Sequence, residues 1–218
     1  MAPRSSLLVP TRVDWEKEIA AFEAIGRTTP PPTGGILFIG SSSIRLWKTL
    51  ESDFPNHRVI NRGFGGSQMI DSVYYFDRIV LPCKPRQILI YAGANDIHAG
   101  KKGEQVLADF KLFVEKTKRF LPGTRVDFIS IAGNPSRWGE INEVRKANRV
   151  VREFARWERN VGFIDTHSAM MNEQGEPKPE IFVEDRLHMN ENGYAIWREI
   201  IRDHLTPEKE APAKKTGW

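Results

Sequence analysis

The chain has 218 residues, enough for one large α/β domain at about 150 residues per domain. Hydrophobic residues make up 40% and charged residues 28%, which excludes a wholly disordered chain. No apolar run approaches the ~18 residues of a membrane span. The net charge of +4, from 32 basic and 28 acidic residues, is too small to indicate a dedicated nucleic-acid-binding protein. The single cysteine, Cys83, excludes an intramolecular disulfide and a cysteine-based metal site.

The two ends of the sequence differ in composition from the middle. The first ten residues lack the long apolar segment of a secretory signal, which favours a cytoplasmic protein. A secreted or periplasmic protein with its leader removed would look the same. Residues 206–218 are polar and contain proline, which predicts a flexible tail. We therefore predict one domain over residues 1–205, with an N-terminal helix over 13–27 packed on it and a turn-rich joint at 28–35.

Short apolar runs alternate with helical patterns through the middle of the chain. Several runs are apolar without alternation, which is typical of strands covered on both faces of a parallel sheet. Three stretches carry helical periodicity or a helix start: 103–120, 139–158 and 194–201, the last after Asn190 as a possible N-cap. This alternation predicts a three-layer α/β/α sandwich. Strands are predicted at 35–40, 58–61, 87–91, 126–131 and 161–165.

The loops that follow the strands are where ligands bind in such sheets. The first strand runs into Gly40 and then three serines, 41–43, at the start of a helical segment. A serine at a helix N-terminus is well placed as a nucleophile, because backbone N–H groups there favour developing negative charge. Serine is also a favoured N-cap, and for this segment alone the cap is the better interpretation.

Two further strand ends carry groups that could stabilise an oxyanion. The segment 61–67 contains three glycines in four positions, so it could expose a backbone N–H, form a tight turn or cradle a phosphate; taken singly, the turn is favoured. The third strand is followed by Asn95 and Asp96. The Asn95 amide can donate two hydrogen bonds. An Asx-turn or a helix cap is an equal alternative for this pair.

A possible catalytic base lies near the end of the chain. Asp185 precedes His188 by three residues, so it could hold the ring and leave Nε2 free as a base. The alternative is a surface loop with unrelated charges. His98 and His167 also follow predicted strands, each two residues after an aspartate, and they remain minor alternatives. Together, a serine, a glycine N–H, an asparagine amide and an Asp/His pair at one sheet edge indicate an acyl-transfer site.

Four blocks in this order resemble those of the SGNH (GDSL-type) hydrolases. The match extends over nearly all of residues 35–205, and the four blocks stand at 36–42, 59–66, 93–96 and 185–188. The resemblance implies a flavodoxin-like parallel sheet in the order 2-1-3-4-5. It also implies a catalytic triad of Ser42, Asp185 and His188, and an oxyanion hole formed by the N–H groups of Ser42 and Gly66 with the Asn95 amide. The block I aspartate and leucine of the family are replaced by serines at 41 and 43.

The resemblance further implies ester hydrolysis without a metal or cofactor. The segments are most similar to small single-domain members that remove short acyl groups, so we expect an acetyl or other short ester of an alcohol or carbohydrate as substrate. Arg45, Trp47 and Trp138 are possible pocket residues, although helix packing is favoured for Trp47. An acyltransferase would use the same residues and is the first alternative. A nucleotide- or phosphate-binding module is the second, but the required glycine spacings are missing.

Overall fold

A five-stranded parallel sheet forms the centre of the computed structural model, which describes residues 15–207. The sheet has the order β2-β1-β3-β4-β5, and every neighbouring pair is parallel. The predicted fold class and strand order are therefore confirmed. Because all strands run in one direction, their carboxyl ends share one edge of the sheet. The strands are β1 Ile36–Gly40, β2 Val59–Gly63, β3 Gln87–Tyr91, β4 Arg125–Ile129 and β5 Val161–Ile164.

Helices cover both faces of this sheet. The helix predicted over 103–120 has those bounds, whereas the one predicted over 139–158 begins at Ile141, because Pro135–Glu140 forms a separate 3-10 segment. No helix within residues 15–207 has the length and apolarity needed to cross a membrane. The helices are α1 Glu16–Thr28, α2 Ser42–Arg45, α3 Leu50–Asp53, α4 Met69–Tyr74, α5 Phe76–Ile79, α6 Ala94–His98, α7 Gly103–Phe120, α8 Ile141–Trp157 and α9 Glu191–Arg202.

Two separate hydrophobic clusters explain the three layers. Side chains alternate along a strand, so Leu37 and Ile39 of β1 join the cluster under α1, α4, α5, α7 and α8. Ile36 and Phe38 point to the opposite face and join the cluster under α2, α3 and α9. All five residues of β1 are buried. The continuous apolar run that predicted a doubly covered strand is thus explained by packing on both sides.

Contacts at the two ends of the described chain fix α1 and the segment after α9. Arg78 on α5 forms ion pairs of 2.7 Å with Glu16 and with Glu23 on α1. At the other end, the Thr206 N–H donates to Gln87 Oε1 at 2.7 Å. The chain is therefore held as far as Thr206, one residue into the predicted tail. Residues 13 and 14 of the predicted first helix and residues 208–218 of the tail lie outside the described residues, and the domain boundaries stay a prediction.

Candidate active site

The first strand delivers Ser42 to the carboxyl edge of the sheet. Ser42 is the first residue of the four-residue helix α2, two positions after the end of β1. At that end Gly40 has a φ of +134°, and a Cβ atom there would lie 1.9 Å from the Tyr91 carbonyl oxygen. Only glycine fits such a position, so the close approach of β1 and β3 sets the direction in which the chain turns to Ser42.

Ser42, His188 and Asp185 form one hydrogen-bonded chain. The His188 Nε2 atom lies 2.9 Å from Ser42 Oγ, and Nδ1 lies 2.6 Å from Asp185 Oδ2. An ionised carboxylate can only accept, so Nδ1 carries the ring proton and donates it to Asp185. In the neutral ring Nε2 is then the acceptor, and the Ser42 hydroxyl donates to it. This is the tautomer that a general base beside a serine requires.

The Asp185 carboxylate is held ionised by its own turn. Desolvation raises its pKa, but donation from the His188 backbone and ring and from the Leu187 N–H outweighs this and lowers the pKa to about 2. The two backbone bonds, from Leu187 and His188, both go to Oδ1 at 2.8 and 2.9 Å. Oδ2 is therefore left for the imidazole ring. The three-residue spacing of the Asp/His pair therefore has two effects. It lets Asp185 contact the His188 ring, and it forms the turn that orients the Asp185 carboxylate towards that ring.

Asn95 lies in α6, directly after β3, and its amide is held from two sides. Nδ2 donates to the Ser67 carbonyl at 3.0 Å, and Oδ1 accepts from Arg137 Nη1 at 3.1 Å. One Nδ2 hydrogen is used by Ser67, so the second is available to a ligand. Asn95 and Ser42 line the same small cavity. The amide is thus neither an Asx-turn nor a helix cap, because Gly93 occupies the cap position.

Gly66 occupies a turn beside these residues. Its φ of +75° is in the left-handed region that favours glycine, and nothing lies within 4 Å of where a Cβ would stand. The next residue, Ser67, supplies the carbonyl that Asn95 binds, which ties this turn to α6. Among the described residues Gly66 is not part of the cavity lining. The structure therefore links the Gly66 turn to Asn95 through the Ser67 carbonyl, and the oxyanion role of Gly66 stays a prediction.

The cavity at Ser42 is narrow. Its volume is about 30 Å³, and Ser42, His188 and Asn95 line it together with both polar and apolar side chains. A volume of about 10–15 Å³ holds one water-sized group, so this space takes about two. The Ser42 N–H makes no hydrogen bond within residues 15–207, so it also remains available to a bound oxygen atom. The lining residues are Ser41, Ser42, Ser43, Tyr91, Ala94, Asn95, Ala132, Asn134, Arg137, Phe182, Leu187, His188 and Met189.

Aromatic side chains hold the turn that contains Ser43, one of the two positions at which this sequence differs from the first block of the family. The Tyr194 hydroxyl donates to the Ser43 carbonyl at 2.9 Å. The Tyr194 ring packs against Trp47 with centroids 5.3 Å apart, and Trp47 is 2% exposed. Trp47 is therefore a core residue, as helix packing predicted. Serine at 43 is accommodated because the turn is anchored through a backbone carbonyl, which any residue supplies.

The alternative histidines do not contact Ser42. His98 Nδ1 pairs with Glu140 at 2.7 Å, and His167 Nδ1 accepts the Gly133 N–H at 3.1 Å. Burial is the main cause that lowers the pKa of His167. The neighbouring aspartates are used elsewhere: Asp165 binds Ser168, and Asp96 binds Lys101 at 2.9 Å and the Met69 N–H at 3.0 Å. Neither Asp/His pair with a two-residue spacing is formed.

From the sequence we also expect certain pocket residues and no metal. Arg45 and Trp138 do not line the cavity at Ser42. Arg137, which does line it, had no sequence signal of its own apart from its place after β4. Its segment is fixed by the Asn134 side chain, which accepts the Arg137 N–H at 2.9 Å. Within residues 15–207, no group of three or more His, Cys, Asp or Glu side chains is arranged to hold a metal ion.

A parallel α/β sheet with hydrogen-bonded serine, histidine and aspartate side chains at its carboxyl edge is an arrangement of serine hydrolases. Residues 40–196 match the GDSL-like lipase/acylhydrolase family. The chain belongs to this family and so to the carboxylic ester hydrolases, which confirms the resemblance seen in the four sequence blocks. No curated protein matches the sequence.

Solved structures of low sequence identity share the fold. A Streptococcus pneumonia protein described as a platelet activating factor is 20% identical, with a TM-score of 0.78 over 88% of this chain and 92% of its own. A GDSL-like lipase from Bacteroides thetaiotaomicron is 16% identical, with a TM-score of 0.74 over 85% and 96%. An acetyl-xylooligosaccharide esterase from Geobacillus is 19% identical, with a TM-score of 0.62 over 84% and 100%. At these identities the likeness establishes the fold.

Proposed function

We propose that this protein is a serine esterase that removes acetyl or similarly short acyl groups from an alcohol or carbohydrate ester. The observation that carries the proposal is the cavity of about 30 Å³ beside Ser42, which has room for about two water-sized groups. An acetyl group suits this space, and a long acyl chain does not. The fold shared with an acetyl-xylooligosaccharide esterase agrees with a carbohydrate acetate as one substrate class.

The proposed reaction proceeds through an acyl-enzyme. Ser42 Oγ attacks the ester carbonyl while His188 Nε2 takes its proton, and the Asp185 carboxylate stabilises the imidazolium that results. The N–H groups of Ser42 and Gly66 and the Asn95 amide stabilise the oxyanion. His188 then gives the proton to the leaving alcohol. Water attacks the acyl-enzyme in the same way and releases the acid together with free Ser42.

Acyl-chain selectivity tests this proposal. We expect kcat/KM for aryl esters to fall steeply from acetyl to octanoyl, and acetylated xylooligosaccharides to release acetate. The Leu187 side chain lines the cavity, so Leu187→Ala should widen it and raise the relative rate with butyryl esters. Leu107→Ala is a matched control, because Leu107 is equally half-buried but lies on α7. Equal rates with acetyl and octanoyl esters would contradict the short-chain assignment.

The competing acyltransferase reaction is tested with the same acyl-enzyme. Added alcohols or sugars would intercept the acyl group if transfer were the main reaction. We expect free acid to remain the main product at millimolar acceptor. A predominance of transferred ester would replace hydrolysis with transfer as the function of Ser42.

A further inference from the structure

The contacts of Arg137 give it a role at the site that the family blocks do not include. Arg137 lies in the 3-10 segment Pro135–Glu140 after β4, far in sequence from the triad. Its Nη1 atom donates to Asn95 Oδ1 at 3.1 Å, and the guanidinium lines the cavity that contains Ser42. The segment is also joined to the triad turn, because the Ser136 N–H donates to the Arg186 carbonyl at 3.0 Å.

The two partners of the Asn95 amide determine its orientation. The Ser67 carbonyl can only accept, and it faces Nδ2. The Arg137 guanidinium can only donate, and it faces Oδ1. A flipped amide would place oxygen against oxygen on one side and N–H against N–H on the other. Both contacts therefore favour the observed orientation of the amide. In this orientation one Nδ2 hydrogen remains for a group bound in the cavity.

The charge of Arg137 is not used in an ion pair within residues 15–207, where its side chain donates only to neutral oxygens of Ala94 and Asn95. The nearby carboxylate of Asp96 is already paired with Lys101 at 2.9 Å. An amide whose oxygen accepts from a cation becomes a stronger donor through its N–H, because hydrogen bonds in a chain polarise one another. A neutralising carboxylate beside Arg137 would remove much of this effect.

We propose that Arg137 is a positioning residue that orients and polarises the Asn95 amide for oxyanion stabilisation. The inference rests on the proposed function, since it assumes an oxyanion at Asn95. Arg137 does not touch the reacting atoms in this role. Its effect on rate must therefore pass through Asn95, and this dependence distinguishes it from an arginine that binds an anionic substrate or one that only stabilises the fold.

A double-mutant cycle tests the dependence. Arg137→Met should lower kcat for an aryl acetate by about 10- to 100-fold, a share of the 10²–10³ that one oxyanion donor supplies, with little change in KM. In an Asn95→Ala background the same change should alter kcat by less than about threefold, because the interaction is already lost. Arg137→Lys should retain more activity than Arg137→Met, since it keeps a charged donor.

Controls separate this inference from the proposed function. Arg62→Met, at a half-buried arginine that also donates to a neutral carbonyl, should leave kcat unchanged. Thermal melts identify variants that do not fold. If Arg137→Met does not fold, Arg137→Lys and Arg137→Gln replace it in the double-mutant cycle with Asn95→Ala. Full additivity with Asn95→Ala, or a raised KM at unchanged kcat, would overturn the positioning role. If the wild type hydrolyses no ester, the proposed function fails. The rate at which a fluorophosphonate labels Ser42 is then measured for the same four variants, and the effects of Arg137→Met and Asn95→Ala on that rate should again be non-additive. Additive effects on labelling, or no labelling at all, would overturn the inference about Arg137.

Discussion

Replacing Asp185 by asparagine gives the sharpest test of the proposed base. In the native turn, Asp185 Oδ1 accepts the N–H groups of Leu187 and His188, and Oδ2 accepts the ring N–H. Two backbone donors would hold the single oxygen of an asparagine in the Oδ1 position. The NH₂ group of the asparagine would then face His188 Nδ1. The ring would have to accept at Nδ1 and carry its proton on Nε2, where the Ser42 hydroxyl needs an acceptor.

The size of the effect follows from counting these bonds. Asp185→Asn keeps both backbone hydrogen bonds, so the turn should fold and the thermal midpoint should change little. The third bond reverses its direction and stabilises the wrong tautomer. In a Ser-His-Asp triad this change lowers kcat by about 10⁴-fold, which corresponds to about 5 kcal/mol at the transition state. Asp185→Ala, which also removes the backbone bonds, should lose stability as well as rate.

The assay is hydrolysis of an aryl acetate, with nitrogen NMR of the histidine ring to report the tautomer. Asp165→Asn is a matched control: Asp165 also precedes a histidine and follows a strand, and its side chain is 33% exposed, but it binds Arg152 and Ser168. This variant should keep its kcat. The reasoning is refuted if Asp185→Asn retains a tenth or more of the wild-type kcat, or if its Nε2 still acts as the acceptor.

Three further predictions use the same assay. A fluorophosphonate should label the protein once, at Ser42, because within residues 15–207 only this serine hydroxyl is bonded to His188; peptide mapping that found another serine would contradict the assignment. Any loss of hydrolysis at mildly acid pH should depend on the uptake of no more than one proton, because the Asp185 carboxylate, with a pKa lowered to about 2, stays ionised throughout that range; a rate that depends on two protons would show that the carboxylate titrates as well. Asn95→Ala should lower kcat by about 10²–10³ with little change in KM, and Asn95→Asp should be at least as harmful, because a carboxylate repels the developing oxyanion and also faces the Ser67 carbonyl; a fully active, well-folded Asn95→Asp variant would remove Asn95 from the site.

The elements that the sequence predicts well are those determined locally. Apolar runs without alternation predict doubly covered strands, and β1 is buried along its whole length. Parallel strands then place the loops of four separate blocks at one edge, whatever their distance in sequence. The turn of Asp185 is also local, since its oxygen accepts from residues two and three positions later. For these reasons the resemblance to the family could be recognised from four short segments.

Contacts between segments far apart in sequence could not be predicted in this way. Arg137 reaches Asn95 across 42 positions, and the segment between Asn134 and Glu140 has no periodic pattern. The loop after β4 nevertheless follows the carboxyl end of a strand. The rule that ligands bind in such loops, which predicted the other site residues, therefore applies to this loop as well. For Trp47 the packing role was predicted, but its partner Tyr194 on the last helix was not.

Ser42 and His188, the proposed nucleophile and its proposed base, are 146 positions apart in the chain. At a synthesis rate of about 5–20 residues per second, the ribosome makes Ser42 about 7–30 s before His188. If Ser42 needs His188 as proposed, the nascent chain carries an unactivated serine throughout that interval. Under the proposed assignment, activity arises only when α9 and the turn before it dock on the completed sheet, a step that joins segments far apart in sequence. Ester turnover is therefore a direct reporter of complete folding, and in refolding experiments it should appear no earlier than the burial of Trp197 on α9.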